Sequence, residues 1–242
     1  MIVIVAIDLM AGNVVRLVKG KAEDKTIYSD DPVKTAARWA SEGADMLHVV
    51  DLDATLGSAQ AGDYNSSAIM SIISKAREAG NIPVQVAGGI RSIEAAEKWL
   101  EGGASKVVIG TLAFTDVTAL RKLGKKYPGK IVVSIDHREG VVMVKGWQES
   151  TGTGVEEAIS MLSSAGASEF LITSIDRDGT LAGPDLTWLS KACSGSAKII
   201  ASGGISSIED VLRVRCVGCA SVILGKALYD GKLTIQGAKA VA

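Results

Sequence analysis

Val86-Ala87-Gly88-Gly89-Ile90-Arg91-Ser92, followed by Ile109-Gly110-Thr111, is one of two copies of a single pattern. The other is Ala201-Ser202-Gly203-Gly204-Ile205-Ser206-Ser207, followed by Leu224-Gly225-Lys226. Each copy reads as an apolar strand, a Gly-Gly-Ile turn, a Ser-Ile-Glu helix start and a second apolar strand that ends in Gly. Gly88 and Gly203 lie 115 positions apart, as do Gly110 and Gly225. Two further matches extend the repeat. Val5-Ala6-Ile7-Asp8 matches Val133-Ser134-Ile135-Asp136 at an offset of 128. Asp51-Leu52-Asp53-Ala54-Thr55 echoes Asp176-Arg177-Asp178-Gly179-Thr180 at an offset of 125. Solenoid periods are far shorter, so this is a duplicated half-chain.

Outward from the glycine turns, short β-branched runs alternate with longer amphipathic ones. Strands are expected at Ile2–Ile7, Met46–Val50, Ile82–Val86, Lys106–Ile109, Lys130–Ile135, Glu169–Thr173, Lys198–Ala201 and Ser221–Leu224. Their apolar character throughout fits strands covered on both faces. The first helix starts at Asp31-Pro32, faces inward with Val33, Ala36, Ala37 and Ala40, and stops at Gly43. Further helices are expected at about Ser66–Ala79, from Ser92 to Gly102 (Ala95, Ala96, Trp99 and Leu100 inward), and from Thr115 or Asp116 to Lys126. The last four are Gly154–Ala165, Pro184–Ala192, Ser207–Val214 and Leu233–Val241. Val14–Leu17 reads as a small excursion, the stretch after the second strand as an Asp-, Gly- and Ser-rich loop, and His137–Gly154 as the longest irregular connection, with a hairpin across Val141–Lys145.

Eight strand–helix units with no break in composition predict an α/β fold: one (β/α)8 TIM barrel over residues 1–242, built from two similar half-barrels. A doubly wound open sheet fits less well, because no G-x-G-x-x-G follows the first strand.

The formal net charge of −1 gives no global field for nucleic acid or an anionic membrane. Anion binding must therefore be local. Three cysteines do not make a secreted disulfide framework. Cys216-Val-Gly-Cys219 is a lone CxxC without a second ligand pair, so structural or incidental use is expected, with no metal site. Met1–Ile7 lacks a basic leader and meets Asp8 at once, which points to a cytoplasmic protein.

Active sites of such barrels lie at the C-terminal ends of the strands. An Asp directly after an apolar strand is costly unless paired or used. Asp8 and Asp136 end the first and fifth strands, opposite each other, and suit a general base and a general acid. The alternative is a cap or a pairing with Arg16 or Arg91. Glycine turns let a ligand approach the backbone, and N–H groups at the following helix start bind anions. Gly88, Gly89, Gly110 and Thr111 form one phosphate candidate. Ser202, Gly203, Gly204, Gly225 and Lys226 form the other, and Arg91, Gly179 and Thr180 join the phosphate set. Two such ends imply a small-molecule substrate with a phosphate at each end. Arg16, His48, Trp147, Thr173 and Asp178 are substrate-binding candidates. His48 reads equally as a satisfied core residue, Trp147 as local packing, and Asp178-Gly179-Thr180 as a plain turn.

Ala6-Ile7-Asp8-Leu9, Val15-Arg16-Leu17-Val18-Lys19-Gly20, His48-Val49-Val50-Asp51-Leu52-Asp53, Gly88-Gly89-Ile90-Arg91, Lys145-Gly146-Trp147, Asp178-Gly179-Thr180-Leu181 and Ser202-Gly203-Gly204-Ile205 together resemble the phosphoribosylformimino-AICAR-ribotide isomerases of histidine biosynthesis, over the whole chain. The resemblance implies an Amadori rearrangement of an aminoaldose to an aminoketose, with no cofactor and no obligate protein partner. It implies Asp8 as the base at C2, Asp136 as the acid that opens the ring, and Asp178 and Thr173 as assisting residues. Val5 stands where the family usually has Pro. The related glutaminase-partnered cyclase is a weaker match, since it carries Cys-Leu-Asp where this chain has Ala-Ile-Asp. Isomerases that also act on phosphoribosylanthranilate carry Arg where Lys145 stands, so Lys145 favours the single substrate.

Overall fold

The structure, a computed structural model, describes residues 1–57 and 64–242. Part of the Asp-, Gly- and Ser-rich loop expected after the second strand lies outside them. The first half contains β1 (Ile2–Met10), β2 (Asn13–Val18), β3 (Lys21–Ser29), α1 (Pro32–Ser41), β4 (Met46–Asp51), α2 (Leu52–Leu56) and α3 (Tyr64–Glu78). It continues through β5 (Val84–Ala87), α4 (Ile93–Glu101), β6 (Lys106–Ile109), α5 (Thr111–Thr115) and α6 (Val117–Lys126). The second half contains β7 (Ile131–Arg138), β8 (Val141–Val144), β9 (Glu149–Gly154), α7 (Val155–Ser164), β10 (Glu169–Ser174) and α8 (Leu186–Ala192). It ends with β11 (Lys198–Ser202), α9 (Ile208–Cys216), β12 (Ser221–Leu224), α10 (Lys226–Tyr229) and α11 (Ile235–Val241).

Strands β1, β4, β5, β6, β7, β10, β11 and β12 pair in parallel in that order, and β12 returns to β1. The sheet thus closes into the expected (β/α)8 barrel. Alternation along each strand divides its side chains between two cores. Ile4, Ala6, Met46, Val108, Leu171 and Ile223 fill the interior, while Val3, Val5 and Ile7 face the helices. The same parity that turns Ile4 and Ala6 inward turns Asp8 inward too. The two halves share their helix caps. Ser92 and Ser207 hold near-identical extended conformations, and each accepts the backbone N–H three residues on.

Several sequence expectations need correction. The first helix buries Pro32, Thr35, Ala36, Trp39 and Ala40, leaving Val33 and Ala37 only half-buried. The bulk of Trp39 turns the stripe. Ala95 of α4 is likewise half-buried. The small excursion at 14–17 is a pair of strands: β1, β2 and β3 form an antiparallel meander. Strand β3 is nearly all exposed, so no apolar alternation marked it. The connection at 137–154 is regular. Strand β7 runs on to Arg138, and β8 and β9 follow antiparallel, so one hairpin turns at Glu139-Gly140 and a second, with Val141–Val144 as its first strand, turns through 145–148. Ala11-Gly12 and Glu139-Gly140 each hold two positive φ angles, as a type I′ hairpin turn requires. They too lie 128 positions apart, so both halves carry the same strand extension. The echo of Asp51–Thr55 in Asp176–Thr180 is two positions out of step. Val50 pairs with Ala87 and Thr173 with Ser202, which sets the structural offset at 123. Asp178 therefore corresponds to Thr55 rather than to Asp53.

Cys193 and Cys219 lie with sulfurs 3.6 Å apart, while Cys216 is exposed, so the CxxC does not act as a unit. At the base of the interior, Lys106 Nζ lies 2.7 and 2.6 Å from the two carboxylate oxygens of Glu169. Glu169→Ala should lower stability by about 2–4 kcal/mol in denaturant unfolding, because it leaves an unpaired ammonium inside the barrel. Lys106→Met with Glu169→Leu should cost less than Glu169→Ala alone.

Candidate active site

A cavity of about 530 Å³ opens at the C-terminal ends of the strands. Asp8 and Asp136, Gly88 and Gly89, Gly110 and Thr111, Thr173, Asp178 and Ser202 all line it. A smaller recess of about 40 Å³ adjoins it, bounded by Gly179, Ser202, Gly203, Gly204, Gly225 and Lys226. Arg16 and Asp178 border both spaces. One Gly-Gly-Ile turn thus borders the cavity and the other borders the recess beside it.

The turns are backbone devices. Gly88, Gly89, Gly203 and Gly204 all have positive φ, between 63° and 99°. A Cβ on Gly88 would collide with the Asp51 backbone, and one on Gly204 with the Gly183 carbonyl. After each turn, Gly110 and Gly225 precede one-turn helices α5 and α10, and neither helix start carries a side-chain cap.

Asp8 is paired with Arg16: Nη1 lies 2.5 Å from Oδ2, and Nη2 donates to the Ala6 carbonyl at 3.0 Å. The pairing weighed as an alternative is therefore present, and it lies within the cavity wall. Glycine at 225 makes room for the guanidinium, since a Cβ there would fall 2.5 Å from it. Burial pushes the Asp8 carboxyl up from its ordinary value, and Arg16 pulls it back only in part.

Asp136 accepts hydrogen bonds from Ser134 Oγ at 2.8 Å and Trp147 Nε1 at 2.9 Å. Burial raises it also, against these donors. Trp147 reaches it because Lys145, Gly146 and Trp147 are all left-handed, with φ of 54°, 65° and 69°. Its ring lies against Gly20 at the tip of the β2–β3 hairpin, where a Cβ would come within 2.5 Å. The two strand extensions thus meet over the cavity. Trp147 is both a packing residue of its loop and part of the wall.

Asp178 is inside the barrel mouth, and burial pushes it up to about 7, with Arg16 opposing and Asp8 and Asp136 adding. Its folded form keeps a proton to about 7, where the unfolded chain releases it near 3.8. Stability should therefore fall as pH rises through that window, and the penalty should be complete above it. Asp8 and Asp136 contribute in the same direction. Asp178→Asn should flatten the fall and raise stability at pH 8, measured by thermal unfolding across the window.

His48 is buried in the wall, with Nδ1 2.8 Å from Gln85 Nε2. It is satisfied on one side and borders the cavity on the other, which unites the two readings of it. Lys226 Nζ is held 2.7 Å from Asp230 and 3.3 Å from the Tyr28 hydroxyl. Arg91 lines the cavity, but its guanidinium bonds the Ala54 and Thr55 carbonyls and so ties the first glycine turn to α2. Thr180 lines neither space. Its hydroxyl closes its own loop on the Arg177 carbonyl, as the plain-turn alternative expects. Ser134 was missed from the sequence, although it sits two residues before Asp136 on the inward parity. Among the described residues, no group of three His, Cys, Asp or Glu side chains is placed to hold a metal ion, and no helix is long and apolar enough to cross a membrane.

Fold and cavity together place the chain in the (β/α)8-barrel class with a carboxyl-lined mouth. The family model described as histidine biosynthesis protein matches residues 2–234, and the chain belongs to that family. It is 52% identical over 238 residues to a Cenarchaeum symbiosum protein and 49% identical over 239 residues to one from Nitrosopumilus maritimus, each alignment covering 98% of both chains. It is 42% identical to a Moorella thermoacetica protein, over 100% of this chain and 98% of the relative. All three are named 1-(5-phosphoribosyl)-5-((5-phosphoribosylamino)methylideneamino) imidazole-4-carboxamide isomerase.

Proposed function

We propose that this chain is the aldose–ketose isomerase of histidine biosynthesis, converting the bisphosphorylated aminoaldose that its relatives are named for into the aminoketose. One observation carries the reading. Asp8 and Asp136, equivalent in the two half-barrels, open into one cavity that is bordered by the first Gly-Gly-Ile turn and adjoined by the recess that the second one lines. One phosphate would sit on Gly88, Gly89, Gly110 and Thr111. The other would sit on Ser202, Gly203, Gly204, Gly225 and Lys226, with Gly179 at its edge.

The chemistry then needs only proton transfers. A carboxylic acid protonates the furanose ring oxygen as its bond to C1 breaks, and the nitrogen lone pair forms a C1=N Schiff base. That Schiff base acidifies the C2 proton, and a carboxylate removes it. The electron pair forms C1=C2 as the C1=N pair returns to nitrogen, and the enolamine becomes the ketone as C1 gains a proton and the C2 hydroxyl loses one. Asp8, paired with Arg16, takes the C2 proton. Asp136 is the ring-opening acid, with Trp147 over the substrate's heterocycle and Thr173 hydrogen-bonding the sugar. A second assignment of the acid has its own support: Asp178, pushed up to about 7, holds a proton near neutrality and has no side-chain donor aimed at it among the described residues. In this reading one domain over residues 1–242 works in the cytoplasm without a protein partner.

The test is a spectrophotometric assay of the purified chain with the aminoaldose bisphosphate, beside phosphoribosylanthranilate. Turnover of the first and little of the second is expected, since Lys145 stands where dual-substrate relatives carry Arg. No turnover of the first would overturn the assignment.

A further inference from the structure

Gln85 lies on β5 inside the barrel, with no exposure to solvent. Its amide nitrogen is 2.8 Å from Nδ1 of His48 on the neighbouring strand. An amide nitrogen can only donate, so Nδ1 accepts with its lone pair, and a neutral ring then carries its proton on Nε2. The reversed amide would leave the nitrogen with no partner in a dry interior. The observed one leaves the Gln85 carbonyl oxygen unpartnered instead, the less costly orphan. The ring is neutral: burial, and then the Arg16 charge, push His48 down to about 3. Its Nε2 has no protein partner among the described residues, yet is not one of the buried orphan atoms, and His48 borders the large cavity. Strand register sets the depth. Ala6 pairs with His48 and Asp8 with Val50, so the ring lies one inward layer below Asp8.

We infer that Gln85 is a positioning residue, which fixes His48 as the Nε2–H tautomer and so presents a neutral donor to a hydroxyl or carbonyl oxygen of the substrate beneath Asp8. Such a donor stabilises charge developing on oxygen without competing with the carboxyls for protons. The effect on turnover rests on the isomerase reading; the tautomer does not.

Histidine-selective nitrogen-15 spectra test the inference, because the chain has only two histidines and His137→Gln assigns the other. The wild-type His48 ring should carry its proton on Nε2, unchanged from about pH 5 to pH 9. Gln85→Met removes the donor, and Gln85→Glu offers an acceptor that draws the proton to Nδ1. In both, kcat should fall roughly tenfold or more, in step with the loss of the Nε2–H form. A wild-type ring protonated on Nδ1 would overturn the inference, as would an unchanged kcat where the Nε2–H form is lost. Should Gln85→Met fail to fold, the wild-type spectrum and Gln85→Glu still decide. Absence of wild-type turnover would count against the isomerase reading alone, leaving the spectrum to judge the tautomer.

Discussion

Asp8→Asn should lower kcat by about a thousandfold or more while the substrate still binds, because removal of a positioned general base typically costs 10²–10⁴. The amide keeps the size of the carboxyl but cannot take the C2 proton. It also frees Arg16, now 2.5 Å from Oδ2, to turn toward the recess beside Gly225. KM should therefore hold or fall while kcat collapses. Asp136→Asn should lose a comparable factor for a different reason. It keeps one acceptor for Ser134 or Trp147 and loses the proton that opens the ring. If Asp178 is the acid, Asp178→Asn takes the large loss and Asp136→Asn a modest one. Steady-state kinetics on the three variants separates the assignments, and full activity in Asp8→Asn would remove the base from the account.

Gly88→Ala should be the most damaging small substitution in the glycine turns. The residue holds a φ of 99°, and its new methyl would collide with the backbone of Asp51. A left-handed conformation alone costs an alanine about 1–2 kcal/mol. Gly129, at a φ of 74° with nothing within 4 Å, isolates that cost. Gly88→Ala adds the displacement of β4 against β5, so a total of about 3–4 kcal/mol is expected. Gly203→Ala should fall between them, since its methyl would sit 3.0 Å from the Ser174 carbonyl oxygen. Denaturant unfolding of the three variants should give the order Gly129, Gly203, Gly88. Equal costs would show that the turns are free to relax.

The repeat made the barrel legible. Glycines at equal spacing and an Asp after each of two apolar strands identify the mouth of the fold and its opposed carboxyls without any contact being known. Strand β3 was not legible, because Lys21–Ser29 is nearly all exposed and, among the described residues, pairs only with β2, so no buried face imposes a period. The strand extension after β7 was hidden for a related reason: its order comes from Glu139-Gly140 and the left-handed Lys145-Gly146-Trp147 turn, whose backbone angles leave little trace in hydrophobicity. The two-residue error in matching Asp178 arose because aspartates in loops look alike, while register is set by the strands they leave. Roles within the site were the least legible. Arg16 could be named beside Asp8, yet only the closed barrel shows it spanning the cavity and the recess. Ser134, Gln85 and Thr180 are told apart by which way they face, which their residue type does not reveal.

The most direct test of the account is a crystal structure of Asp8→Asn with the bisphosphorylated aminoaldose bound. One phosphate should rest on Gly88, Gly89 and Gly110 and the other on Gly203, Gly204 and Gly225. C2 of the sugar should then lie against the amide of residue 8. Both phosphates at one end of the cavity, or C2 turned away from residue 8, would contradict it.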